Sequence, residues 1–285
     1  MIFERGLTRP APPSPMPELP EVEITRRGLL ATLTDQTVSA VVSRCAALRY
    51  PLPRNLCRLL TGQTLRRIDR RGKYLLFVFD PGVLIVHLGM SGSLRVVPCG
   101  EAPRVHDHLD VIFGAAVLRL RDPRRFGAVL WEGGDVAAHR LIAPLGIEPL
   151  SDAFTGDWLR AAMRGCNTGI KLALMDSHRI VGIGNIYASE SLFRARIDPR
   201  TPADRLSRAR CARLATAVRE TLEAALAAGG SSLRDFIHSD GGSGWFQQTF
   251  FVYGRADEPC RVCSSRVRAL RLGQRSTFYC PRCQR

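Results

Sequence analysis

Apolar residues recur at Val22, Ile24, Leu29, Leu30 and Leu33. This spacing predicts a helix over Glu21–Leu33, with Arg26 and Arg27 on its other face. The period then shortens. Tyr74–Phe79 and Val83–His87 are rich in aromatic and branched residues and are separated by the turn sequence Asp80-Pro81-Gly82. Leu94–Val97, Leu109–Phe113, Val117–Arg121 and Ala128–Trp131 continue the pattern, so the first half predicts an antiparallel sandwich or barrel. After Pro149 helical spacing returns in Trp158–Arg164, Ile170–Asp176, Asn185–Arg196 and Ser207–Ala228, the last ended by Gly229-Gly230. The fold class is therefore α+β. A leader of residues 1–16 precedes an N-terminal domain at 17–148, a helical domain at 149–250 and a C-terminal module at 251–285.

The 285 residues carry a formal charge of +15, which favours a polyanionic partner, nucleic acid first. No run approaches the ~18 apolar residues of a membrane span, and residues 1–15 lack the continuous apolar centre of a secretory signal. A cytoplasmic location is expected. Four of the nine cysteines cluster at the C-terminus, a pattern that fits a metal site in a reducing compartment better than a disulfide framework. Cys260-x2-Cys263 and Cys280-x2-Cys283, sixteen residues apart, match one structural zinc ion held by four thiolates with no open position. Residues 254–285 hold eight arginines against two acids, which suits a hairpin presenting Arg275 to a nucleic-acid backbone.

Met16-Pro17-Glu18-Leu19-Pro20-Glu21-Val22-Glu23 admits two readings. It is a helix start, where proline and glutamate are favoured. Alternatively, Pro17 exposed as an N-terminus carries a secondary amine, and an α-amine has a reference pKa of about 7.7–8.0 against about 10.4 for lysine. Such an amine is a nucleophile for a carbonyl-type carbon, with Glu18 as proton carrier. Three further segments bear on function. Arg66, Arg67, Arg70, Arg71 and Lys73 form either a solvated edge or a cationic strand start. Met90 on one glycine-rich tip, and Arg124, Arg125 and Phe126 on another, are ordinary hairpins or a wedge that fills the gap left by a displaced base. Gly182-Ile183-Gly184-Asn185 opens a helix like an anion site.

Taken in order, these motifs, together with Gly72-Lys73-Tyr74-Leu75, His106-Asp107-His108, Gly184-Asn185-Ile186-Tyr187-Ala188-Ser189-Glu190 and Arg275-Ser276-Thr277-Phe278-Tyr279, resemble the bacterial formamidopyrimidine-DNA glycosylases from Pro17 to the C-terminus. The resemblance implies an N-terminal β-sandwich flanked by helices, a helix–two-turns–helix element over Ile170–Arg196, a zinc-finger β-hairpin, and a mobile loop within Ser232–Gln248. It implies an enzyme that flips oxidised purines such as 8-oxoguanine out of damaged double-stranded DNA and excises them. Pro17 would attack the sugar C1′, and β- and δ-elimination would follow. Glu18 would be the general acid, Lys73 a second acid and Arg275 a phosphate clamp. Met90, Arg124 and Phe126 would fill the void, while His106, Arg125, Lys171 and Asn185 would contact the backbone. A monomer at the bacterial nucleoid is expected. An amide at Pro17 cannot form an iminium, so residues 1–16 are expected to be absent from active protein. The alternatives are the endonuclease VIII type, which prefers oxidised pyrimidines but usually has glycine where Leu19 stands, and a non-catalytic zinc-ribbon DNA-binding protein.

Overall fold

The computed structural model describes residues 16–230 and 246–285. Helix α1 (Leu19–Leu33) leads into two four-stranded sheets. One holds β1 (Ala40–Ser43), β6 (Asp107–Phe113), β7 (Ala116–Arg121) and β5 (Ser93–Pro98) in that order. The other holds β2 (Arg67–Arg71), β3 (Tyr74–Phe79), β4 (Gly82–His87) and β8 (Ala128–Glu132). All pairings within them are antiparallel, with Tyr74 opposite His87 and Asp107 opposite Arg121. A short helix α2 (Leu56–Leu60) packs beside β1.

All six expected strands form. Two others escaped the periodicity. β1 is four residues long and half exposed, so it carries little apolar signal. β2 is built from an arginine-rich stretch whose charges are neutralised across the fold. Arg70 pairs with Glu23 and Glu148, and Arg71 pairs with Glu148. Arg70 and Arg71 are therefore partly buried, while Arg67 on the same edge strand and Arg66 just before it are exposed and pair with Asp69 and Asp80.

The helices are α3 (Gly156–Ala162), α4 (Ile170–Leu174), α5 (Asn185–Arg194) and α6 (Arg208–Ala227). Thr155 caps α3 and Ser207 caps α6, each accepting a backbone amide of the first turn. The apolar core runs without a break from Leu29 and Leu33 of α1, through Leu75 and Phe77 of the sandwich, to Leu214 and Leu222 of α6. A separate cluster of Phe193, Val252 and Val267 sits beneath the final hairpin, β9 (Arg268–Leu272) and β10 (Arg275–Tyr279). No helix among the described residues is long and apolar enough to cross a membrane. The expected mobile loop falls largely on residues 231–245, outside the described residues.

Candidate active site

Because α1 starts at Leu19, Pro17 and Glu18 stand just before it, and both are buried. The Leu19 amide donates to Gly182 O (3.1 Å), which ties this end of the chain to the loop ahead of α5. The Glu18 carboxylate turns away from its own helix. It accepts from the amides of Gly184 (2.8 Å), Ile186 (2.9 Å) and Tyr187 (3.3 Å), at the positive end of α5. A Cβ on Gly184 would lie 2.3 Å from Glu18 Cδ, so only glycine leaves room for this seat. In sequence, Gly182–Asn185 reads as an anion site. The anion that fills it is the chain's own Glu18.

Glu21 braces the arrangement. Its Oε2 accepts the Glu18 amide (2.9 Å) and its Oε1 accepts the Tyr187 hydroxyl (2.6 Å). Burial pushes the Glu18 carboxyl up to about 7; the Lys73 charge opposes this, the Glu21 charge reinforces it, and the amides of Ile186 and Tyr187 oppose it. A carboxyl at that value is about half protonated at pH 7 and so can both hold and give up a proton in the neutral range, which suits a general acid.

Lys73 is the second residue of the tight turn between β2 and β3. Burial pulls its ammonium below the usual lysine range, the charges of Glu18 and Glu21 pull it back, and Arg275 adds to the lowering. The turn is held by Glu148, which accepts the Gly72 amide (2.6 Å), and by Arg70, which donates to Gly72 O (2.9 Å). Gly72 has φ +57°, and a Cβ there would lie 2.1 Å from Val181 Cγ2. Both facts demand glycine.

Arg275 opens β10 and is exposed. The next residue is fixed from beneath. Asn185 Nδ2 and Lys171 Nζ both donate to Ser276 O at 3.0 Å, and Lys171 also donates to Thr277 Oγ1 (2.8 Å). The resemblance maps Lys171 onto a backbone-contacting position. In this structure its side chain is buried, and its ammonium supports the Arg275 hairpin. Burial lowers Lys171 to about 7, with the Glu18 charge opposing.

Two aromatic groups near this centre went unassigned from sequence. Burial pushes the Tyr253 hydroxyl up to about 12, the Glu18 charge reinforces it, and Asn185 and Arg275 oppose it, so the ring stands among three residues singled out from sequence. Tyr253 is placed by Glu190, whose carboxylate accepts the amides of Phe251 (2.8 Å), Val252 (3.0 Å) and Tyr253 (2.8 Å). His87 is pulled down to about 4 by burial and by the charges of Lys73 and Arg49. Tyr253 carries no local sequence signal, since its partners lie far along the chain, whereas His87 opens the motif His87-Leu88-Gly89-Met90-Ser91-Gly92, which gives it no role by itself.

The remaining expected residues lie on loops. Met90 is half-buried, and Arg124, Arg125 and His106 are exposed. Phe126 is 45% exposed, with the Arg124 guanidinium 4.9 Å from its ring centre. His106 and Arg125 have φ of +74° and +55°, uncommon values for residues other than glycine.

The four zinc cysteines converge, with all four sulfurs within 4.8 Å of one another. Cys260 and Cys283 sulfurs lie 3.9 Å apart, and those of Cys263 and Cys280 3.5 Å. A tetrahedron with Zn–S bonds of about 2.3 Å has sulfurs ~3.8 Å apart, so the quartet fits zinc. The ion is structural, one per chain, and fastens β9 and β10.

Known proteins match throughout. The formamidopyrimidine-DNA glycosylase N-terminal domain matches residues 16–129, the H2TH domain of the same enzymes matches 145–237, and the zinc finger found in FPG and IleRS matches 257–285. The formamidopyrimidine-DNA glycosylase of Aromatoleum aromaticum is 58% identical over 270 residues, covering 95% of this chain and all of the relative. The crystal structure of the MutM (Fpg) protein of Thermus thermophilus superposes with a TM-score of 0.85 at 39% identity, covering 94% of this chain and 98% of that one. A Lactococcus lactis Fpg variant in complex with Fapy-dG-containing DNA gives 0.89 at 32% identity, over 94% of this chain and 100% of that one. The chain belongs to the formamidopyrimidine-DNA glycosylase family.

Proposed function

We propose that this chain is a bifunctional DNA glycosylase and abasic-site lyase of base excision repair. It removes oxidised purines, 8-oxoguanine and formamidopyrimidines, from duplex DNA, and works as a monomer on the DNA of the bacterial nucleoid. The observation that carries this reading is the seat of Glu18: a buried carboxyl, raised to about 7, beside Pro17 and under the influence of Lys73.

In this reading the Pro17 secondary amine attacks C1′ of the flipped nucleotide. The bond from C1′ to the base breaks, and the base leaves with its electron pair and a proton, with Lys73 as acid near the leaving base and phosphate. Glu18 then protonates the sugar ring oxygen. The ring opens, the proline nitrogen gives up its proton, and an iminium joins it to C1′. Loss of a C2′ proton expels the 3′ phosphate, and a second elimination expels the 5′ phosphate. Arg275 clamps phosphate during these steps. Met90, Arg124 and Phe126 fill the vacated stack, while His106, Arg125 and Asn185 face the backbone. Covalent capture divides one hard cleavage into two accessible ones. Zinc keeps the hairpin folded so that Arg275 and the carbonyl of Ser276 keep their places.

An amide nitrogen at Pro17 cannot form the iminium, so the active chain in this account begins at Pro17. A duplex panel tests the substrate class. Excision of 8-oxoguanine well ahead of thymine glycol is expected, with strand ends that carry phosphate on both sides of the gap. Preference for thymine glycol would move the chain to the endonuclease VIII type, and binding without excision would leave a DNA-binding protein only.

A further inference from the structure

Asp122 is fully buried, and its polar atoms reach three different loops. Oδ1 accepts from Ser91 Oγ (2.7 Å) and Oδ2 from the Gly127 amide (2.8 Å). Its own amide donates to His106 O (3.0 Å), and its carbonyl lies 3.0 Å from His108 Nε2 and accepts the Arg125 amide (3.2 Å). Ser91 Oγ in turn accepts the Arg124 amide (3.1 Å). The two tips also touch through backbone. A Cβ on Gly89 would lie 2.4 Å from the carbonyl carbon of Phe126, and one on Gly127 would lie 2.8 Å from His87 O.

A hairpin closes with backbone hydrogen bonds alone and has no need to desolvate a carboxylate. A wedge does have a need. To displace a stacked base, its side chains must push without giving way, and unstacking costs a few kcal/mol per base step. Tips on two separate loops yield independently unless something stiff joins them. Here the join is a hydroxyl bridging one tip's carboxylate to its own next turn, with the other tip supplying the hydroxyl.

We propose that the Ser91–Asp122 pair is a positioning device that locks Met90, Arg124 and Phe126 into one rigid wedge and so governs base extrusion, not bond cleavage. This rests on the void-filling role given to those three residues above. Ser91 and Asp122 lie beneath the tips, 4% and 0% exposed, and act only through them.

The test uses the full chain with a duplex bearing 2-aminopurine beside 8-oxoguanine. Ser91→Ala is expected to slow the fluorescence rise of extrusion and single-turnover excision of the paired lesion about tenfold, the scale of one lost buried hydrogen bond. Nicking of a preformed abasic site, where no base needs extruding, is expected to stay within about twofold. Asp122→Asn, which sets an amide N–H2 against either the Ser91 hydroxyl or the Gly127 amide in place of an acceptor, should show the same split. Should that variant fail to fold, Ser91→Ala, which removes a single oxygen, carries the test. Equal loss of both activities would make the pair a general support of the fold and overturn the proposal, as would unchanged extrusion. Met90→Ala and Phe126→Ala are run alongside. If they extrude normally, the void-filling reading itself fails; if they are slow while Ser91→Ala is not, only the locking role fails.

Discussion

Two buried glutamates, one seated on the start of α5 and one within it, show how the same motif serves two ends. Glu18 and Glu190 are 2% and 1% exposed, and each accepts three backbone amides. Burial raises the pKa of both. They differ in who shares the space. Glu18 sits at the N-terminus of α5 with Pro17 next to it in sequence, the charge of Lys73 acting on it and Glu21 adjoining. Glu190 serves a different part of the fold; Arg194 is the charge that opposes its shift, and its three amides belong to the segment leading to the zinc hairpin. Hydrogen-bond count therefore does not make a carboxylate reactive. What sets Glu18 apart in the proposed mechanism is the adjoining Pro17 amine; Glu190, which also has a cation opposing its shift, ties down residues 251–253 and acts as a strut.

The contrast breaks most sharply under substitution. Glu18→Gln is expected to lower base excision on the order of a thousandfold, within the usual range for a positioned acid, with thermal unfolding and DNA binding assayed in parallel to confirm an intact fold. Removing zinc with a chelator comes next. Loss of the hairpin frees Arg275 and Ser276, and nicking of abasic DNA should fall roughly a hundredfold, as when one preorganised donor is lost; metal content and nicking are measured on the same sample. Glu190→Gln should cost about 1–2 kcal/mol of stability and less than tenfold in excision, read by thermal unfolding beside single-turnover rates. If Glu190→Gln matched Glu18→Gln in excision while leaving stability alone, the division into acid and strut would fail.

The pH profile gives the smallest effect and sharpens the same point. The folded pKa of Glu18 is raised to about 7, so its proton is held below that value and lost above it. Because the Pro17 amine must be neutral and Glu18 protonated, excision of the paired lesion should follow a bell. It rises as the amine, with a reference value of about 7.7–8.0, loses its proton, and falls above that value as Glu18 is ionised, up to tenfold per unit on each limb. Burial of the carboxyl also means that Glu18 itself contributes stability that is lost between its ordinary value near 4.5 and about 7. A rate that stays level or keeps rising well above pH 8, or an alkaline limb that Glu18→Gln retains, would remove Glu18 as the acid.

Much of this was legible in the chain. The strands Tyr74–Phe79 and Val83–His87 carry aromatic and branched residues around a strong turn, and the cysteine spacing fixes both metal and coordination number. What the sequence hid is long-range. β2 reads as a charge run because Arg70 and Arg71 find Glu23 and Glu148 only in the folded chain. Nothing near Lys171 in sequence shows that Ser276 and Thr277, more than a hundred residues later, hold its ammonium. Gly182–Asn185 shows a helix start that attracts an anion, and local pattern has no means to say that the anion is Glu18. Tyr253 and Glu190 belong to the same class, since a cap formed across about sixty residues leaves no spacing to recognise.

The central claim is that the Pro17 amine is the nucleophile and that Glu18 serves it. Borohydride reduction of the protein on abasic duplex, followed by proteolysis and mass mapping, tests it directly. The account predicts one DNA adduct, on a peptide that begins at Pro17. An adduct on Lys73, or an active chain that retains Met1 and still nicks oxidised DNA, would contradict it.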